Sequence, residues 1–397
     1  MPLFLREGLR GCQDEGPVGR RQPSSHDNLK SVTETTGQGA AGTNGLAPTQ
    51  LLARNLDRIQ GASLFLLGVP KDPAVVPLFH GQKGVLLSFD YSAHLLHTRQ
   101  VRDTRAALTT MFAATYPAPT PLHDVVVAYL QKGKEANDVL LALAASVVAP
   151  GGRVSLVGEN AAGIKPYAAR LEERVGPIEF SDAARHCTLF EARATGTGAA
   201  VSLDGWEKRY QVPAGSGAID VVTLPGVFSH GRLDEGTAFL LRHLPASISG
   251  TVLDFGCGSG VIGAVVASGN PACEVTLVDS SAFALVAAQR TFSVNGLTPR
   301  EVRPVGGLDD VGNQRFDVIV TNPPFHQGIG TDYTVVSRFL ESCQQHLTDE
   351  GVVLMVANRF LPYERMVPNG LQVSLVAEDA KFKVLRGRMV NGGRARR

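Results

Sequence analysis

The chain has 397 residues, of which 44% are hydrophobic and 19% charged, and its formal net charge is +1. This length suits two ordinary domains, and a near-neutral total gives no electrostatic argument for a nucleic-acid partner. No apolar run approaches the roughly 18 residues that a membrane span needs. The five cysteines are scattered without a C-x-x-C pair, which fits neither a zinc site nor a disulfide framework. We therefore expect a cytoplasmic protein without a membrane span or a bound metal.

The two ends of the chain are predicted to lie outside the folded domains. Residues 1–48 are poor in large apolar side chains and rich in Gly, Ser, Thr and Gln, which indicates a disordered extension. From Lys381 to Arg397 there are seven Lys or Arg residues and no acid. This stretch, with residues 391–397 as its basic tail, either contacts phosphates or ends the chain as a solvated, disordered segment.

Between these ends, short apolar runs alternate with helix-length amphipathic stretches, a pattern that indicates an α/β fold. Near-continuous apolar runs are typical of strands buried on both faces of a parallel sheet. Five runs of the second half have counterparts in the first half at an offset of roughly 190 to 200 residues, which indicates two copies of one domain. The pairs are SLFLLGV with TVLDFGC, GVLLSFD with EVTLVDS, HDVVVAYL with FDVIVTNP, GGRVSLVGEN with EGVVLMVANR, and HCTLFEAR with FKVLRGRM.

The predicted domain boundaries follow from this duplication. We expect a first α/β domain at residues 49–195, a linking lead-in segment at 196–235 and a second α/β domain at 236–390. The turns of the two copies differ, because the second carries DFGCGSG and TNPPF where the first carries FLLGVPK and AYLQK. The first copy therefore lacks the glycine and polar positions that a site would use, and we expect the chemistry in the second.

The stretch LDFGCGSGVIG holds two overlapping glycine patterns. The pattern G-x-G-x-x-G, ending at Gly263, matches a dinucleotide fingerprint in which a pyrophosphate sits on a helix N-terminus. The pattern D-x-G-x-G-x-G begins one step earlier, at Asp254, and a carboxylate there would repel a pyrophosphate. We therefore prefer the second pattern and interpret Gly263 as a position of close helix–sheet packing.

A cationic ligand suits this loop better than a phosphate does. S-adenosylmethionine carries an ammonium group and a sulfonium beside its carboxylate and has no phosphate. Asp254 can accept from the ammonium group, the loop amides can meet the carboxylate, and Asp279 at the end of the next strand can accept both ribose hydroxyls. The predicted donor site consists of Asp254, Gly256, Cys257, Gly258, Gly260, Asp279 and Ser280.

The tetrapeptide Asn322-Pro323-Pro324-Phe325 follows the strand FDVIVT directly. Its two prolines fix φ and hold Asn322 in an extended pose at the strand end. The side-chain oxygen of Asn322 and the carbonyl of Pro323 can each accept one N–H of an exocyclic amine, so that the nitrogen lone pair is aimed at a methyl carbon. Phe325 offers a face on which a planar base can stack, an interaction of about 1–3 kcal/mol. These four residues are the predicted catalytic set.

This chemistry requires neither a charged base nor a cysteine nucleophile. The proton of the amine becomes acidic only as the methyl group arrives, so we interpret His326 as a loop or substrate-positioning residue. Cys257 is expected to pack under the glycine turn. A covalent cysteine mechanism would place a Cys after the proline of the motif, where Pro324 and Phe325 stand.

The glycine loop, Asp279 and Asn-Pro-Pro-Phe, in this order, resemble the class I methyltransferases that act on amino groups. The strings NPPFHQG, LPGVFSHGRLDEGT, VANRFLPYE and KFKVLRGRM resemble the ribosomal RNA guanine-N2 methyltransferases of the RsmC and RlmG type. The resemblance implies α/β architecture with two tandem Rossmann-like domains, each a seven-stranded, mostly parallel sheet, the N-terminal one degenerate. It also implies S-adenosylmethionine as cofactor and a guanine of ribosomal RNA as substrate, with the small subunit favoured over the large.

The resemblance extends to residues at the edges of the predicted site. Phe228, Arg232 and Asp234, in the lead-in segment, either close over donor or base or pack as a linker. Lys381 and Lys383 are expected to contact RNA phosphates.

One segment departs from the family pattern. Val305-Gly306-Gly307-Leu308 stands after the predicted third strand, where similar enzymes carry an Asp or Asn that receives the adenine amine. Asp309, Asp310 or backbone carbonyls are the candidates to take its place.

Two other functions fit parts of the sequence. Asn-Pro-Pro-Phe also suits transfer to adenine N6 in DNA or to a glutamine N5 in a protein. A non-catalytic RNA-binding assembly factor would keep the donor pocket as a remnant, although the intact loop and tetrapeptide argue against it. We expect a monomer whose partner is ribosomal RNA or the small ribosomal subunit.

Overall fold

The computed structural model describes residues 45–117, 121–215, 217–323, 329–363 and 367–390, and the side chains of residues 329–337 lie outside that description. The strands of the first half are β1 Leu64–Leu67, β2 Gly84–Ser88, β3 Leu108–Phe112, β4 His123–Tyr129, β5 Val148–Glu159, β6 Ile178–Ala184 and β7 Cys187–Arg193. They form one seven-stranded sheet in the order β3-β2-β1-β4-β5-β7-β6. β1 to β5 run parallel, and β7 is antiparallel to both of its neighbours.

The first half has helix α1 Ala47–Arg54 before β1, and four helices between its strands: α2 Val75–Leu78, α3 Tyr91–Thr104, α4 Lys134–Val147 and α5 Tyr167–Arg174. The central strands are apolar along their whole length because helices cover both faces of the sheet. Phe65, Leu67 and Val126 accordingly have no exposed surface.

The segment between the halves contains a two-stranded antiparallel hairpin, β8 Lys208–Ala214 and β9 Gly217–Thr223. After the hairpin, the chain passes into helix α6 Glu235–Arg242. The backbone N–H of Val222 in β9 donates to the hydroxyl of Thr291, 3.0 Å away. The hairpin is thus packed against the second half.

The second half repeats the first strand for strand. Its sheet has the order β12-β11-β10-β13-β14-β16-β15, with the same parallel strands and the same antiparallel pair at one edge. The strands are β10 Thr251–Phe255, β11 Glu274–Asp279, β12 Glu301–Pro304, β13 Phe316–Thr321, β14 Leu347–Asn358, β15 Leu371–Glu378 and β16 Phe382–Met389. The helices are α7 Val261–Gly269, α8 Ala282–Val294 and α9 Ile329–His346.

The two halves meet where β2 and β11 end. The N–H of Tyr91 donates to the carbonyl of Ser280 (2.8 Å), and the N–H of Ala282 donates to the carbonyl of Phe89 (2.9 Å). The rings of Phe89 and Phe283 pack edge to face, with centroids 5.0 Å apart. The turn that precedes α8 is therefore held by the first half of the chain.

The predicted architecture of two tandem, mostly parallel seven-stranded sheets is confirmed. Each of the five matched pairs of apolar runs occupies the same position in its sheet, namely β1 and β10, β2 and β11, β4 and β13, β5 and β14, and β7 and β16. Helix α1 starts at Ala47, within the predicted extension of residues 1–48, and the N–H of Leu46 before it donates to Asp72. Among the described helices, none is long and apolar enough to cross a membrane.

Candidate active site

A cavity of about 680 Å³ opens where β10, β11 and β13 end. β10 lies between β11 and β13, so the connections leave the sheet on opposite faces at this point and open a crevice, as in other doubly wound folds. Its volume lies in the range of cofactor and small-molecule sites. Its lining includes Phe228, Asp234, Gly258, Asp279, Asp309 and Asn322.

The glycine loop that follows β10 depends on backbone conformations that favour glycine. Gly256, Gly258 and Gly260 have φ values of +69°, +55° and +73°, in the left-handed region where a Cβ atom is strained. The N–H groups of Gly256 and Cys257 both donate to the carbonyl of Val278, at 2.9 and 3.0 Å. The loop is thereby fastened to the end of β11.

Two glycines of the stretch also permit close packing of α7. A Cβ atom on Gly260 would lie 2.9 Å from Cβ of Ala288, and one on Gly263 would lie 2.6 Å from a methyl carbon of Leu277. Both distances are shorter than a carbon–carbon contact allows. The geometry at Gly263 is that of close helix–sheet packing, as predicted.

Asp254 lies beneath the glycine loop and is fully buried. Its Oδ2 accepts from the N–H of Gly263 at 2.9 Å, while its Oδ1 has no hydrogen-bond partner among the described residues. Burial raises the pKa of this carboxyl to about 7, with a further rise from the nearby charge of Asp279. Asp254 is not part of the cavity lining, so its predicted contact with an ammonium group would need water or a shift of the loop.

Asp279 and Ser280 face the cavity from the end of β11. The carboxylate of Asp279 accepts from the N–H of Gly258 (2.9 Å) and from the N–H of Ser281 (2.8 Å). Burial raises its pKa, and these backbone N–H groups act in the opposite direction. Asp279 thus connects the glycine loop to the turn that the first half holds.

Cys257 is buried in the core beneath the loop and is 4% exposed. Burial raises the pKa of its thiol well above the ordinary value, which leaves the unreactive thiol form. Its environment is the packing position that the sequence predicts.

Asn322 lies directly after β13, and the lead-in segment holds its side-chain amide. The Nδ2 of Asn322 donates to Oδ2 of Asp234 (2.9 Å) and to the hydroxyl of Thr237 (2.8 Å). Asp234 is also the N-cap of α6, because its Oδ2 accepts from the N–H of Thr237 at 2.8 Å. Asn322 and Pro323 both line the cavity, whereas Pro324 and Phe325 lie outside the described residues.

The remaining predicted substrate residues are dispersed. Phe228 lines the cavity and is 56% exposed, and Arg232 is exposed but is not part of the lining. Lys381 is exposed and pairs with Glu235 at 2.7 Å. Lys383 is 4% exposed, so the prediction that it contacts phosphate is corrected, because its position in β16 turns it away from solvent. The predicted positioning residue His326 lies outside the described residues.

The two acids after β12 that are candidates to receive the adenine amine have different surroundings. Asp310 turns back on its own loop and accepts from the N–H groups of Gly306 (2.6 Å) and Gly307 (3.2 Å). Asp309 lines the cavity together with Val305 and accepts from the hydroxyl of Ser342. Of the two, Asp309 is available to a ligand.

Several residues of the cavity went unidentified in the sequence. Thr237 and Tyr210 line it, as does Arg338. Thr237 has a usable signal, because EGTAFLLR of α6 corresponds to APTQLLAR of α1, and both helices carry a threonine at the third position. Tyr210 has none, because the hairpin that carries it lies outside the repeat. Within the described part of the chain, no three His, Cys, Asp or Glu side chains group closely enough to hold a metal ion.

Comparison with known proteins identifies the class of protein to which this fold belongs. The sequence model for the methyltransferase small domain matches residues 218–386, and that for its N-terminal companion domain matches residues 49–210. A solved structure titled T. thermophilus 16S rRNA N2 G1207 methyltransferase (RsmC), in complex with AdoMet and guanosine, aligns with a TM-score of 0.72 at 24% sequence identity. The alignment covers 88% of this chain and 94% of that one. The fold is that of a class I methyltransferase, present twice.

Two curated relatives narrow the class to a family. A Shewanella baltica (strain OS155) protein named ribosomal RNA small subunit methyltransferase C is 35% identical over 343 residues, which cover 85% of this chain and 97% of the relative. A Pseudomonas paraeruginosa protein of the same name is 38% identical over 330 residues, covering 82% of this chain and 95% of the relative. The chain belongs to the ribosomal RNA small subunit methyltransferase C family, as the sequence resemblance predicts.

Proposed function

We propose that this protein transfers the methyl group of S-adenosylmethionine to the exocyclic N2 of a guanine in small-subunit ribosomal RNA. The observation that carries the proposal is the position of Asn322, whose amide is fixed at the wall of a donor-sized cavity. Family membership supports the substrate, since the relatives are named as small-subunit ribosomal RNA methyltransferases.

The described residues fit the donor. The glycine loop lines the cavity with no side chain at Gly256 and Gly258, and Asp279 presents a carboxylate to the same cavity. When it is bound, the donor supplies an electrophilic methyl group on its sulfonium. We propose that Asp279 accepts from the ribose hydroxyls and that the buried Oδ1 of Asp254, which has no hydrogen-bond partner among the described residues, accepts from the ammonium group through water or after a shift of the loop.

Asp309 is proposed to replace the acid or amide that the family usually carries after its third strand. Its carboxylate is fixed by the hydroxyl of Ser342 and lines the cavity beside Val305 and Leu308. An apolar wall with one acceptor at its end suits a flat base that carries an amine. The acceptor would then stand after the Gly306-Gly307 pair, further along the chain than in the family pattern.

The acceptor side is proposed to work by alignment. The Oδ1 of Asn322 and the carbonyl of Pro323 each accept one N–H of the guanine amine, which localises the nitrogen lone pair and aims it at the methyl carbon. Phe325 is proposed to stack on the base. No protein group has to remove the proton before attack, because the nitrogen becomes acidic only as the new C–N bond forms; the proton then leaves to solvent. Alignment of reacting atoms by this kind of clamp accounts for a large part of the rate in such sites.

The oligomeric state, the cellular location and the RNA contacts of the protein are part of the same proposal. We propose that the protein acts as a monomer in the cytoplasm, on ribosomal RNA or on the small subunit. The basic tail at residues 391–397, which lies outside the described residues, stays a predicted phosphate contact.

Nucleoside mass spectrometry tests the proposal. Small-subunit ribosomal RNA from a strain that lacks the gene should have less N2-methylguanosine than the parent, and the wild-type gene should restore the level. Complementation with Asn322→Ala should fail to restore it. An unchanged N2-methylguanosine level in the deletion strain would overturn the proposal, and parallel measurement of N6-methyladenine in DNA and N5-methylglutamine in protein would identify the alternative acceptor.

A further inference from the structure

We propose that Asp234 and Thr237 are positioning residues that fix which atom of the Asn322 amide faces the target amine. The inference rests on the proposed function, because it concerns the residue proposed to accept from that amine. Asp234 and Thr237 touch Asn322 from the lead-in side, at 2.9 and 2.8 Å.

The chemistry of the two partners determines the orientation of the amide. An ionised carboxylate can only accept hydrogen bonds, so the Asn322 atom beside Asp234 must be the NH₂ group and not the oxygen. The hydroxyl of Thr237 lies 3.3 Å from the same carboxylate oxygen and donates to it. Its lone pairs are then left to accept from Asn322. Both N–H bonds of the amide therefore point toward the start of α6, one to its N-cap Asp234 and one to Thr237.

This fixed orientation matters because the two ends of an asparagine amide have opposite chemistry. A flipped amide would present donors to the target amine, which itself carries two N–H donors, and the proposed clamp would be lost. The torsion that rotates a side-chain amide is soft, so an amide can flip unless hydrogen bonds hold it. The pair Asp234 and Thr237 makes the productive orientation the favoured one before substrate arrives.

A single carboxylate oxygen serves two purposes here. Oδ2 of Asp234 accepts from the N–H and the hydroxyl of Thr237 and from Nδ2 of Asn322. The first contact begins helix α6, and the last orients Asn322. The start of α6 is thereby coupled to the end of β13. A useful variant must therefore remove the contact with Asn322 while it keeps the cap of the helix.

The degenerate first half shows the same pair of elements with this coupling removed. Leu46 is the residue before α1, in the place of Asp234, and it has no acceptor on its side chain. Thr49 occupies the place of Thr237, and Tyr129 occupies that of Asn322. The hydroxyls of Thr49 and Tyr129 are 3.4 Å apart, so the threonine contact is kept although the amide is gone. The carboxylate is thus present only in the half that carries the asparagine, whereas the threonine is present in both halves.

Three variants test the inference through the kcat and KM of methyl transfer. Asp234→Ser keeps an N-cap oxygen for α6 but is too short to reach Asn322, and we expect kcat to fall by about a hundredfold, as for a misplaced reacting group. Asp234→Asn keeps a carbonyl oxygen that can accept all three bonds, and we expect kcat to stay within about tenfold of wild type. For both variants we expect unchanged donor affinity and an unchanged pH profile.

Thr237→Val is the third variant, with Thr49→Val as its matched control in the first half. We expect Thr237→Val to lower kcat by about tenfold, the effect of one lost hydrogen bond, and Thr49→Val to leave kcat at the wild-type value. This pair also decides the case if Asp234→Ser fails to fold, because Thr237→Val leaves the helix-capping carboxylate in place.

Distinct outcomes would overturn the inference. Wild-type kcat in Asp234→Ser or in Thr237→Val would show that Asn322 needs no such support. Equal loss in Asp234→Asn and Asp234→Ser, with a changed pH profile, would show instead that the charge of Asp234 acts as a base. Failure of the proposed function is a separate result, since wild-type protein would then leave guanine unmethylated, and the same variants would be compared on whichever amine it does methylate.

Discussion

The two halves of the chain have sheets of the same topology, but they differ in what lies at the carboxyl ends of the strands. In the second half, the glycine loop, with Gly256 and Gly258 at positive φ, and the end of β13 line a cavity. In the first half, the turn after β1 has Gly68, with φ of +65°, followed by Val69 and Pro70. The side chain of Gln131 crosses this edge and donates to the carbonyls of Gly68 (2.9 Å) and Tyr129 (2.6 Å). A protein side chain thus satisfies the groups that a ligand would otherwise meet.

The carboxylate at the end of the second strand is present in one half only. The strand registers, together with the N–H bonds from Gly68 to Leu87 and from Gly256 to Val278, place Ser88 in the first half where Asp279 stands in the second. Ser88 is buried and its hydroxyl has no hydrogen-bond partner among the described residues, whereas Asp279 accepts from Gly258 of the glycine loop. Asp90, two residues after Ser88, is the N-cap of α3 and corresponds to Ser281, the N-cap of α8. The first half therefore lacks the strand-end acid as well as the glycine loop.

The first half has also taken on a supporting role. Its β2 turn donates to Ser280 and accepts from Ala282, on either side of the N-cap of α8. The hydroxyl of Ser92 also lies within reach of the carbonyl of Gly306 (3.5 Å). Two of the turns that line the donor cavity are therefore held by residues of the copy that lost its own cavity.

The largest effect is expected from Asn322→Ala, which removes the proposed acceptor of the target amine. We expect kcat to fall by at least about a hundredfold, the scale for losing one preorganised polar contact to the reacting group, with donor affinity unchanged. Tyr129→Phe, at the equivalent position of the first half, is the matched control and should leave kcat unchanged. Calorimetry that finds donor binding lost together with transfer in Asn322→Ala would show that Asn322 belongs to the donor side.

A smaller effect, on stability, is expected from Phe89→Ala. Phe89 is 8% exposed and packs on Phe283 between the halves, and truncation of a buried phenylalanine costs about 3 kcal/mol or more. We also expect weaker donor binding, since the carbonyl of residue 89 holds the turn before α8. Denaturant unfolding measures the first effect and calorimetry the second. Wild-type values in both would mean that the halves fold and function without this contact.

The smallest effect concerns Asp254 and depends on pH. Burial raises the pKa of its carboxyl from 3.8 to about 7, so the native state binds this proton more tightly than the unfolded chain does. The stabilisation is complete below the unfolded pKa and is lost as pH rises toward the folded pKa. Asp254→Asn lacks this titration, and its free energy of unfolding relative to wild type should therefore increase from about pH 5 to about pH 8. A difference that stays constant across this range would contradict the raised pKa.

The sequence was sufficient for the duplicated framework because long apolar runs and their spacing carry that information. It identified β1, β2, β4, β5 and β7 and their counterparts in the second half, all of them strands with at least three buried positions. It placed β12 only as the strand before Val305 and identified no run for β3; each of these two strands has one buried position. It also identified no run for β6 or β15, which are partly or largely exposed along their length. Edge strands bury less surface, so their composition is less constrained.

The sequence predicts those parts of the candidate site whose residues are neighbours in the chain. The positive φ of Gly256 and the burial of Cys257 follow from the loop pattern. The contact between Asp234 and Asn322 joins residues 88 positions apart, and no local pattern reveals it. The burial of Lys383 was equally hidden, because Lys383 shares a face of β16 with Leu385, and residues distant in the sequence, such as Phe339 and Tyr363, cover that face.

The number of donor molecules bound per chain tests most directly whether chemistry resides in the second half alone. We predict that titration calorimetry of the full chain with S-adenosylmethionine gives one site per chain. We also predict that Asp279→Ala weakens that site strongly, whereas Ser88→Ala, at the equivalent position of the first half, leaves it intact. Two sites per chain, or a single site that survives Asp279→Ala and is lost in Ser88→Ala, would contradict the assignment of the donor site to the second half.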